Sequence, residues 1–468
     1  MSRIAASITG TERFLLNNIA RFDQATLTAA IRLATGNKVN AASDDPAAFI
    51  QLSAFQDRLN IVQNMRKNVD AAATIGAQTQ LNLGEVRVQV LAIQSALLQD
   101  EGQTLTSEAR LTNQLLIDAA ITQLDKVAKS EISGKRYLDG SVNYRYAGKN
   151  SQQISNIETF TLSESNFSGS VDSAATQSIT RYQGTAGNVD ASDTSTFVIT
   201  GERSSASIST IGGETLTGVA ARVNLESHRT GITATVDGDN LDFTTVDFGD
   251  DATIGIVISS GTFATTSIAQ GADATVTING EAVSASQIDG NTVTYAKNGT
   301  HIRIDFKSGF SGNFDAFSIT DQDVSKFALS PEIADRTSLS FSRVSADSLG
   351  GLSGKLVDLL SGGSLSGLGT NTSQALRVVD EALAQLTLAN AQASSFANVA
   401  VASAASLLSG FENNLIDSID SINGVNQEEE SLLLAKNQAL SLNSISAISL
   451  LQQQQASVLG LVRLLAGI

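Results

Sequence analysis

The sequence contains no cysteine and no tryptophan, and it has only two prolines in 468 residues. Without cysteine there can be no disulfide framework, no thiolate nucleophile and no Cys-ligated zinc site. Aromatic residues make up 5% of the chain, whereas apolar residues make up 42%. Ala, Leu, Ile and Val must therefore supply the core. This mixture favours slender helix packing and strands of small residues over the large core of a globular enzyme.

Long hydrophobic runs are also missing. No stretch reaches about 18 consecutive apolar residues, so we predict no transmembrane helix and no membrane partner. The first 22 residues contain no apolar run of the kind found in a secretory signal peptide. If the protein leaves the cell, we expect a route that needs no cleaved signal. The net charge of −17 argues against a nucleic-acid partner.

Motifs that carry catalysis are absent from the sequence as well. His228 and His301 are the two histidines, they stand in different contexts, and no His-Glu-x-x-His motif occurs. The acidic residues of "DGDN" (237–240) and "FGDD" (248–251) lack the ligand order of a calcium loop, and we interpret them as turn residues. We therefore predict that the protein is not an enzyme and that it uses no cofactor and no metal.

Apolar residues near the N-terminus recur at helical spacing. From 46 to 98 they form one stripe, which predicts a helical rod of roughly 80 Å. A second helix follows the turn at 100–102 and ends near Gly134. The stripe residues of the two helices are Leu52, Phe55, Leu59, Val62, Val69, Leu83, Val86, Val90, Ile93 and Leu97, then Ile117, Ile121, Leu124 and Ala128.

The C-terminal hundred residues repeat this pattern with heptad spacing, which indicates a coiled-coil-like seam. We expect Asn390 to be a polar position inside that seam. The seam positions are Leu376, Val379, Leu383, Leu386, Asn390, Ala393, Ala397, Ala400, Ala404, Leu407 and Phe411.

The middle of the chain, 146–370, changes to a period of two and is rich in Ser, Thr, Gly and Asp. Three turn pairs between alternating strands predict β-hairpins, namely Asn279-Gly280, Asn298-Gly299 and Asp237-Gly238. We predict an all-β insertion of one or two small domains. The fold class is therefore α+β, with helices at both chain ends and strands between them.

A firm break separates the first two predicted helices. Gly36 can end a helix in the left-handed conformation. Asp45 can cap the next helix, Pro46 fits its first position, and Asp44 adds negative charge at the positive end of its dipole. We predict that this segment is a helix–loop–helix corner, and that the capping fixes where the long helix begins.

The extreme ends of the chain carry one apolar stripe each. In residues 1–40 there are five basic and two acidic residues, and in 431–468 two basic and none acidic. Two lone helices cannot bury enough surface to be stable, so we expect copies of the chain to associate through these stripes. The predicted interface residues are Ile8, Leu15, Ile19 and Phe22 with Leu451, Val458, Val462 and Leu465.

These residues carry a resemblance to bacterial flagellin. The stretch "LATGNKVNAASDDPAAFIQLSAFQDRL" resembles the flagellin N-terminal signature. "SGKRYLDGS" (133–141), "LLQQQQASVLGLVRLLAGI" (450–468) and the β-containing motif at 218–245 are also similar to flagellin segments. The matching signature positions are Leu33, Gly36, Asn40, Ala42, Asp44, Asp45 and Ala47.

The resemblance implies a secreted, extracellular subunit of the bacterial flagellar filament, which assembles with copies of itself into a helical polymer. It implies export by the flagellar type III apparatus, and an export chaperone, cap proteins and junction proteins as partners. It also implies three parts: an inner terminal-helix domain (1–45 and 427–468), a long-helix rod (46–145 and 371–426), and a β-rich outer region (146–370). The segment from Gly36 to Pro46 would connect the inner helices to the rod.

Pro46 and Gln89 depart from the flagellin pattern, and other interpretations therefore stay open. Asp-Asp-Pro at 44–46 is also typical of the hook–filament junction protein, which shares the helical ends, whereas Asp139-Gly140 and the terminus rich in Val and Leu favour the filament subunit. A filament subunit whose β insertion is an adhesin is a further alternative. Gln89 replaces the arginine of the segment that the vertebrate innate receptor reads, which argues against recognition by that receptor.

Overall fold

The computed structural model describes residues 10–102, 105–329, 336–341 and 343–465. Helices occupy both ends of this part of the chain and antiparallel strands occupy its middle, so the fold is α+β with an all-β insertion, as predicted. The helices are α1 (Gly10–Thr35), α2 (Pro46–Gly102), α3 (Ser107–Ala128), α4 (Leu216–Leu225), α5 (Ser227–Thr230), α6 (Thr372–Ser395), α7 (Ala402–Asn423) and α8 (Gln427–Leu465).

The chain divides into two compact units. One unit contains the described residues up to Lys67 together with those from Ala405 onward, and the other runs from Asn68 to Ala404. The strands all belong to the second unit. They are β1 (Arg145–Ala147), β2 (Ile154–Thr161), β3 (Asn166–Ser173), β4 (Ile179–Gln183), β5 (Ser195–Thr200), β6 (Ser205–Thr210), β7 (Ile232–Asp237), β8 (Asn240–Thr245), β9 (Gly255–Ser260), β10 (Thr265–Ala269), β11 (Thr275–Ile278), β12 (Glu281–Ala282), β13 (Ile288–Asp289), β14 (Thr292–Lys297), β15 (Thr300–Phe306), β16 (Gly312–Thr320), β17 (Ser325–Ala328), β18 (Arg336–Leu339), β19 (Gly350–Gly351) and β20 (Gly354–Lys355).

In the second unit, α2 and α6 run antiparallel. Gln94 Nε2 donates to Asp380 Oδ1 at 3.0 Å, and about two turns further on Arg87 Nη1 donates to Thr387 Oγ1 at 3.4 Å. The apolar stripe predicted for this part of α2 is buried. Its members are Leu83, Val86, Val90, Ile93 and Leu97.

One predicted seam position of α6 is wrong. Asn390 is exposed, and its neighbour Ala389 is buried instead. Ala382 and Ala393 are buried in the same row as Ala389. A close approach of two helices selects the smallest side chains for the contact line, so alanine occupies the centre and the amide of Asn390 stays in solvent.

A π-helical turn, Phe396–Val401, joins α6 to α7 opposite Gly76 of α2. A Cβ atom placed on Gly76 would lie 3.0 Å from the Cβ of Ala397 and 3.4 Å from Phe396 Cδ1. Glycine is therefore needed at this crossing because the two backbones approach too closely for a side chain.

We predict opposite effects for two glycines of α2. Gly76→Leu should lower the free energy of unfolding by about 1–3 kcal/mol, since the new side chain would force α2 away from Ala397. A Cβ atom placed on Gly84 would contact no other element within 4 Å, so Gly84→Leu should be neutral or stabilise by up to about 0.8 kcal/mol through helix propensity. Denaturant unfolding followed by circular dichroism measures both, and equal destabilisation by the two variants would contradict the close crossing.

The β insertion contains two subdomains, each with its own core. β subdomain A comprises residues 143–175 and 273–324, and its sheets have the orders β1-β16-β3-β11-β12 and β13-β14-β15-β2. β subdomain B comprises residues 176–272, and α4 packs with its sheets β10-β4-β8-β7 and β6-β5-β9. Thr176 and Ala272 exchange backbone hydrogen bonds of 2.9 and 3.3 Å. Subdomain B is therefore an insertion whose two ends lie side by side.

The predicted hairpins form, and one turn is displaced by a residue. Asn279-Gly280 and Asn298-Gly299 have positive φ at both positions, as a type I′ turn requires. In the third hairpin Asp237 pairs with Asn240, so the turn residues are Gly238 and Asp239 rather than Asp237 and Gly238. Gly238, at φ +61°, supplies the left-handed conformation at the first turn position, where a type II′ turn needs it.

A contact between His228 and Glu101 links α5 of subdomain B to the end of α2. His228 Nδ1 lies 3.2 Å from Glu101 Oε1, and both side chains are largely buried. Burial by itself lowers the pKa of His228. The net shift is nevertheless upward, because Glu101 accepts a hydrogen bond and supplies a negative charge, and the Leu225 carbonyl accepts as well. Arg377 of α6 donates to the hydroxyl of Ser227 in the same joint.

This contact predicts a pH dependence of stability. Because the folded-state pKa of His228 is raised, its contribution is complete below the unfolded value of about 6.5 and is lost as the pH rises through the folded value. Denaturation midpoints should therefore fall more steeply between about pH 6 and pH 8 in the natural chain than in Glu101→Gln. The exposed Glu108→Gln is the matched control and should keep the natural slope. Parallel profiles for the natural chain and Glu101→Gln would contradict the assignment.

Candidate assembly surface on the terminal helices

In the first unit, α1 and α8 pack antiparallel. Arg32 near the end of α1 lies 3.6 Å from Glu430 near the start of α8, measured from Nη1 to Oε1. Further along the pair, Ser441 Oγ donates to Asp23 Oδ1 at 2.8 Å. From the first contact to the second, the residue number falls along α1 by about as much as it rises along α8. This is the register of an antiparallel helix pair.

The seam between α1 and α8 contains few fully buried apolar side chains. Ala29 is the fully buried residue of the 26-residue helix α1. The residues of α8 that are buried among those described are polar, and they are Glu430, Asn437, Ser441 and Ser444. A polar contact contributes about 1 kcal/mol net, less than the burial of a leucine. The seam therefore aligns the two helices through polar contacts, and its apolar side chains are only half-buried.

The predicted interface residues of α1 lie in this seam. Leu15, Ile19 and Phe22 are half-buried on the side of α1 that contains Ala29, and Leu451 of α8 is half-buried as well. Val458 is 63% exposed. Ile8 lies outside the described residues, as do the side chains of Val462 and Leu465. The chain thus covers part of the stripe that we expected neighbouring copies to cover.

A second apolar stripe on α1 remains bare. Leu16, Leu27 and Ile31 are 48%, 61% and 43% exposed. At about 3.6 residues per turn they lie about a third of a turn from the seam. Phe14, 64% exposed, lies about as far from the seam as Leu16 but on its other side.

The bare surface of α8 lies opposite its seam. Leu432, Leu442 and Leu450 are 72%, 64% and 60% exposed. Exposed Ala435, Ala439 and Ser446 stand between them, so the stripe follows 3-4 spacing and contains small residues between the leucines. Such a row accepts another helix at close range. We call the bare residues of α1 and α8 together the outer stripes.

The outer stripes were not predicted from the sequence, because each terminal helix has apolar residues on more than one side. The 3-4 spacing of apolar and small residues from 432 to 450 is visible in the sequence. Which stripe faces the chain itself is decided by the pairing of α1 with α8, and that pairing is not a local property.

The segment between α1 and α2 is held by backbone hydrogen bonds. Gly36 has φ +72° and its N–H donates to the Arg32 carbonyl at 2.8 Å. Asp44 Oδ2 accepts from the N–H groups of Asn40 and Ala41 at 2.9 and 3.0 Å. These two hydrogen bonds lower the pKa of Asp44.

The start of α2 is capped by a side chain. Asp45 Oδ1 accepts from the N–H groups of Ala47 and Ala48, each at 3.0 Å, and α2 begins at Pro46. The segment is also tied to the end of α7, because the N–H of Val39 donates to Asn423 Oδ1 at 2.7 Å. The corner thus has a defined conformation within the first unit.

Metal centres and membrane spans are two other kinds of site that a chain of this length can carry. The described residues contain no group of three or more His, Asp or Glu side chains placed to hold a metal ion. One helical run, Thr372–Asn423, is long and apolar enough by length and composition to cross a membrane, which the count of consecutive apolar residues did not reveal. Helices in the core of soluble proteins share those two properties, and α6 within this run packs along α2.

No family model matches the sequence, and no curated protein matches it. Solved structures give similarities of low score. The D2-D3 domains of the flagellar cap protein FliD from Escherichia coli align at 17% identity and a TM-score of 0.28, over 38% of this chain and 98% of that one. FlgL from Xanthomonas campestris aligns at 13% and 0.25, over 80% and 99%. The flagellar junction protein FlgL from Legionella pneumophila aligns at 13% and 0.20, over 78% and 99%.

The cap at the start of α2 gives a direct prediction. Asp45→Ala should lower the free energy of unfolding by about 1 kcal/mol, because two amides of the first turn lose their acceptor. Amide exchange at Ala47 and Ala48 should accelerate. Asp57→Ala, at an exposed position inside the same helix, should leave both quantities unchanged. Unchanged exchange in Asp45→Ala would mean that the side chain does not cap the helix in solution.

Proposed function

We propose that the chain is a structural subunit of the bacterial flagellar filament, which self-assembles through its terminal helices into a helical polymer. The observation that carries this proposal is the pair of outer stripes on α1 and α8. They present large apolar side chains that the described part of the first unit does not cover. A surface of this kind marks an interface.

The energy available from covering these stripes is substantial. Burying an exposed leucine contributes about 1.5–3 kcal/mol, and Leu432, Leu442 and Leu450 are each at least 60% exposed. One helix pair offers only a narrow row, so a single contact stays weak. In a helical polymer each copy makes this contact with several neighbours, so the contributions of these contacts to the free energy of assembly add up.

The charges of the chain ends favour contact between copies. The whole chain has a net charge of −17, yet residues 431–468 contain no acidic residue and residues 1–40 contain more basic than acidic ones. Copies would therefore repel each other through their other regions and not through their ends. The acidic β insertion would face solvent, where its charge keeps assembled material soluble.

The flagellar assignment depends on the sequence resemblance at both ends of the chain. The signature residues Gly36, Asp44 and Asp45 each have a structural role in the corner between α1 and α2, as helix end, loop acceptor and cap. On this proposal the subunit leaves the cell through the flagellar type III apparatus and is extracellular. An export chaperone and the cap and junction proteins are its proposed partners. The division into inner terminal helices, long-helix rod and β-rich outer region is part of the same proposal.

Two alternatives remain candidates. The first is the hook–filament junction protein, which Asp-Asp-Pro at 44–46 favours. Pro46 stands at the first position of α2, where proline suits any capped helix, so its geometry favours neither protein. The second is a filament subunit whose β subdomains bind a surface.

We predict that one charge on each outer stripe blocks assembly. Leu27→Asp and Leu442→Asp should each prevent polymerisation, because an aspartate cannot be buried in a helix contact without a partner. Deletion of residues 431–468 should also leave soluble chains. Sedimentation and the gain of helical circular dichroism on assembly measure the result.

Ile211→Asp is the matched control, since Ile211 is 66% exposed in β subdomain B and should assemble normally. Filaments from the Leu442→Asp chain would contradict the role of the outer stripe. Filaments from the truncated chain would overturn the proposal as a whole. Immunogold labelling separates the alternatives, since a junction protein would label one band at the filament base and a filament subunit the whole length.

A further inference from the structure

Residues 252–272 form a segment of the chain with no charged side chain, flanked by Asp251 and Asp273. The segment includes β9, β10 and the loop between them. In a chain with 47 acidic residues, this is an uncharged part of the exposed surface of β subdomain B.

Strand β9 lies at the edge of its sheet. It pairs with β5 from Gly255↔Thr200 to Ser260↔Thr196, and in the described chain its other edge faces no strand. The opposite edge of this sheet, β6, contacts α4 and α5. β9 therefore exposes a row of backbone N–H and C=O groups that can accept one more strand.

The side chains of β9 do not protect this edge. Val257 is 65% exposed and Ile258 41% exposed, and Ser259 and Ser260 are exposed as well. β10, which follows in the chain, is the edge of the neighbouring sheet and exposes Ile268. Proteins usually protect such edges with charges, proline or very short strands.

Both edges of the sheet β1-β16-β3-β11-β12 in β subdomain A have that protection. Strand β12 has only two residues and contains Glu281, which is paired with Lys297. Strand β1 has three residues and contains Arg145, which is paired with Asp323. These two edge strands of subdomain A are short and charged, whereas β9 of subdomain B is longer and uncharged.

We propose that β9 pairs with β9 of a second copy of the chain, in antiparallel orientation about a two-fold axis. In such a pair the residue on the axis faces itself, and every other residue faces one an even number of positions away on the same face of the sheet. A charged side chain at or next to the axis would then lie close to the same charge of the second copy, which is unfavourable. The β9 strand presents only glycine, β-branched aliphatic residues and serine, so no like charges meet.

The charge of the chain also favours a second copy at this place. Two chains of net charge −17 repel each other over most of their surfaces, and the uncharged segment is where they can approach. A strand of six residues covers much less than the ~1,000 Å² that a stable dimer buries. We therefore expect weak, transient pairing between free chains in solution. This inference does not depend on the proposed filament.

The absence of cysteine makes a direct test possible, because each introduced cysteine is unique. Single variants Val257→Cys and Ile258→Cys of the full chain are oxidised in solution, and disulfide-linked dimers are measured on denaturing gels. One of the two should cross-link at least about tenfold faster than Ile211→Cys, a position of similar exposure in the same subdomain. Adding Ser259→Lys to the faster variant should abolish that excess.

Equal rates at the three positions, or no effect of Ser259→Lys, would overturn the proposal. The same oxidation is repeated in the Leu442→Asp chain, which should not polymerise. If the excess cross-linking persists in that chain, it supports β9 pairing independently of helix assembly. If the excess disappears, the cross-links came from proximity in a polymer, and β9 pairing is overturned. Sedimentation of each sample reports separately on the proposed function.

Discussion

The exposed leucines of the terminal helices are the constraint on which the rest of this structure depends. α1 and α8 are aligned by polar contacts such as Ser441 with Asp23, and the apolar side chains on the same side of each helix are only half-buried. Leu432, Leu442 and Leu450 remain on the other side of α8. A helix pair built in this way is incomplete as a folding unit, and its stability must increase when another helix covers it.

The second unit shows the opposite design. There α2 and α6 bury a continuous apolar row, glycine and alanine allow the backbones to approach, and polar side chains such as Gln94 and Asp380 lie at the margin. The close crossing at Gly76 is sensitive to a single added side chain. A self-sufficient core in one unit and a bare stripe in the other mean that the chain can fold in part before it meets a partner.

Features that depend on neighbouring residues were predictable from the sequence, and features that depend on distant pairing were not. The helix start at Pro46 and the turns at Asn279-Gly280 and Asn298-Gly299 follow from the conformations that these residues favour locally. The exposure of Asn390 depends on which row of α6 meets α2. The stripe of α1 that faces α8 and the edge position of β9 are likewise set by contacts between segments far apart in the sequence, which periodicity does not encode.

The adjacency of Thr176 and Ala272 has an evolutionary consequence. A domain whose entry and exit strands are hydrogen-bonded to each other joins the rest of the chain at one place, and subdomain B also contacts α2 and α6 through His228 and Ser227. Recombination at that point could shorten, enlarge or replace the strands of subdomain B if these contacts are kept. Selection on subdomain B can then proceed separately from selection on the terminal helices.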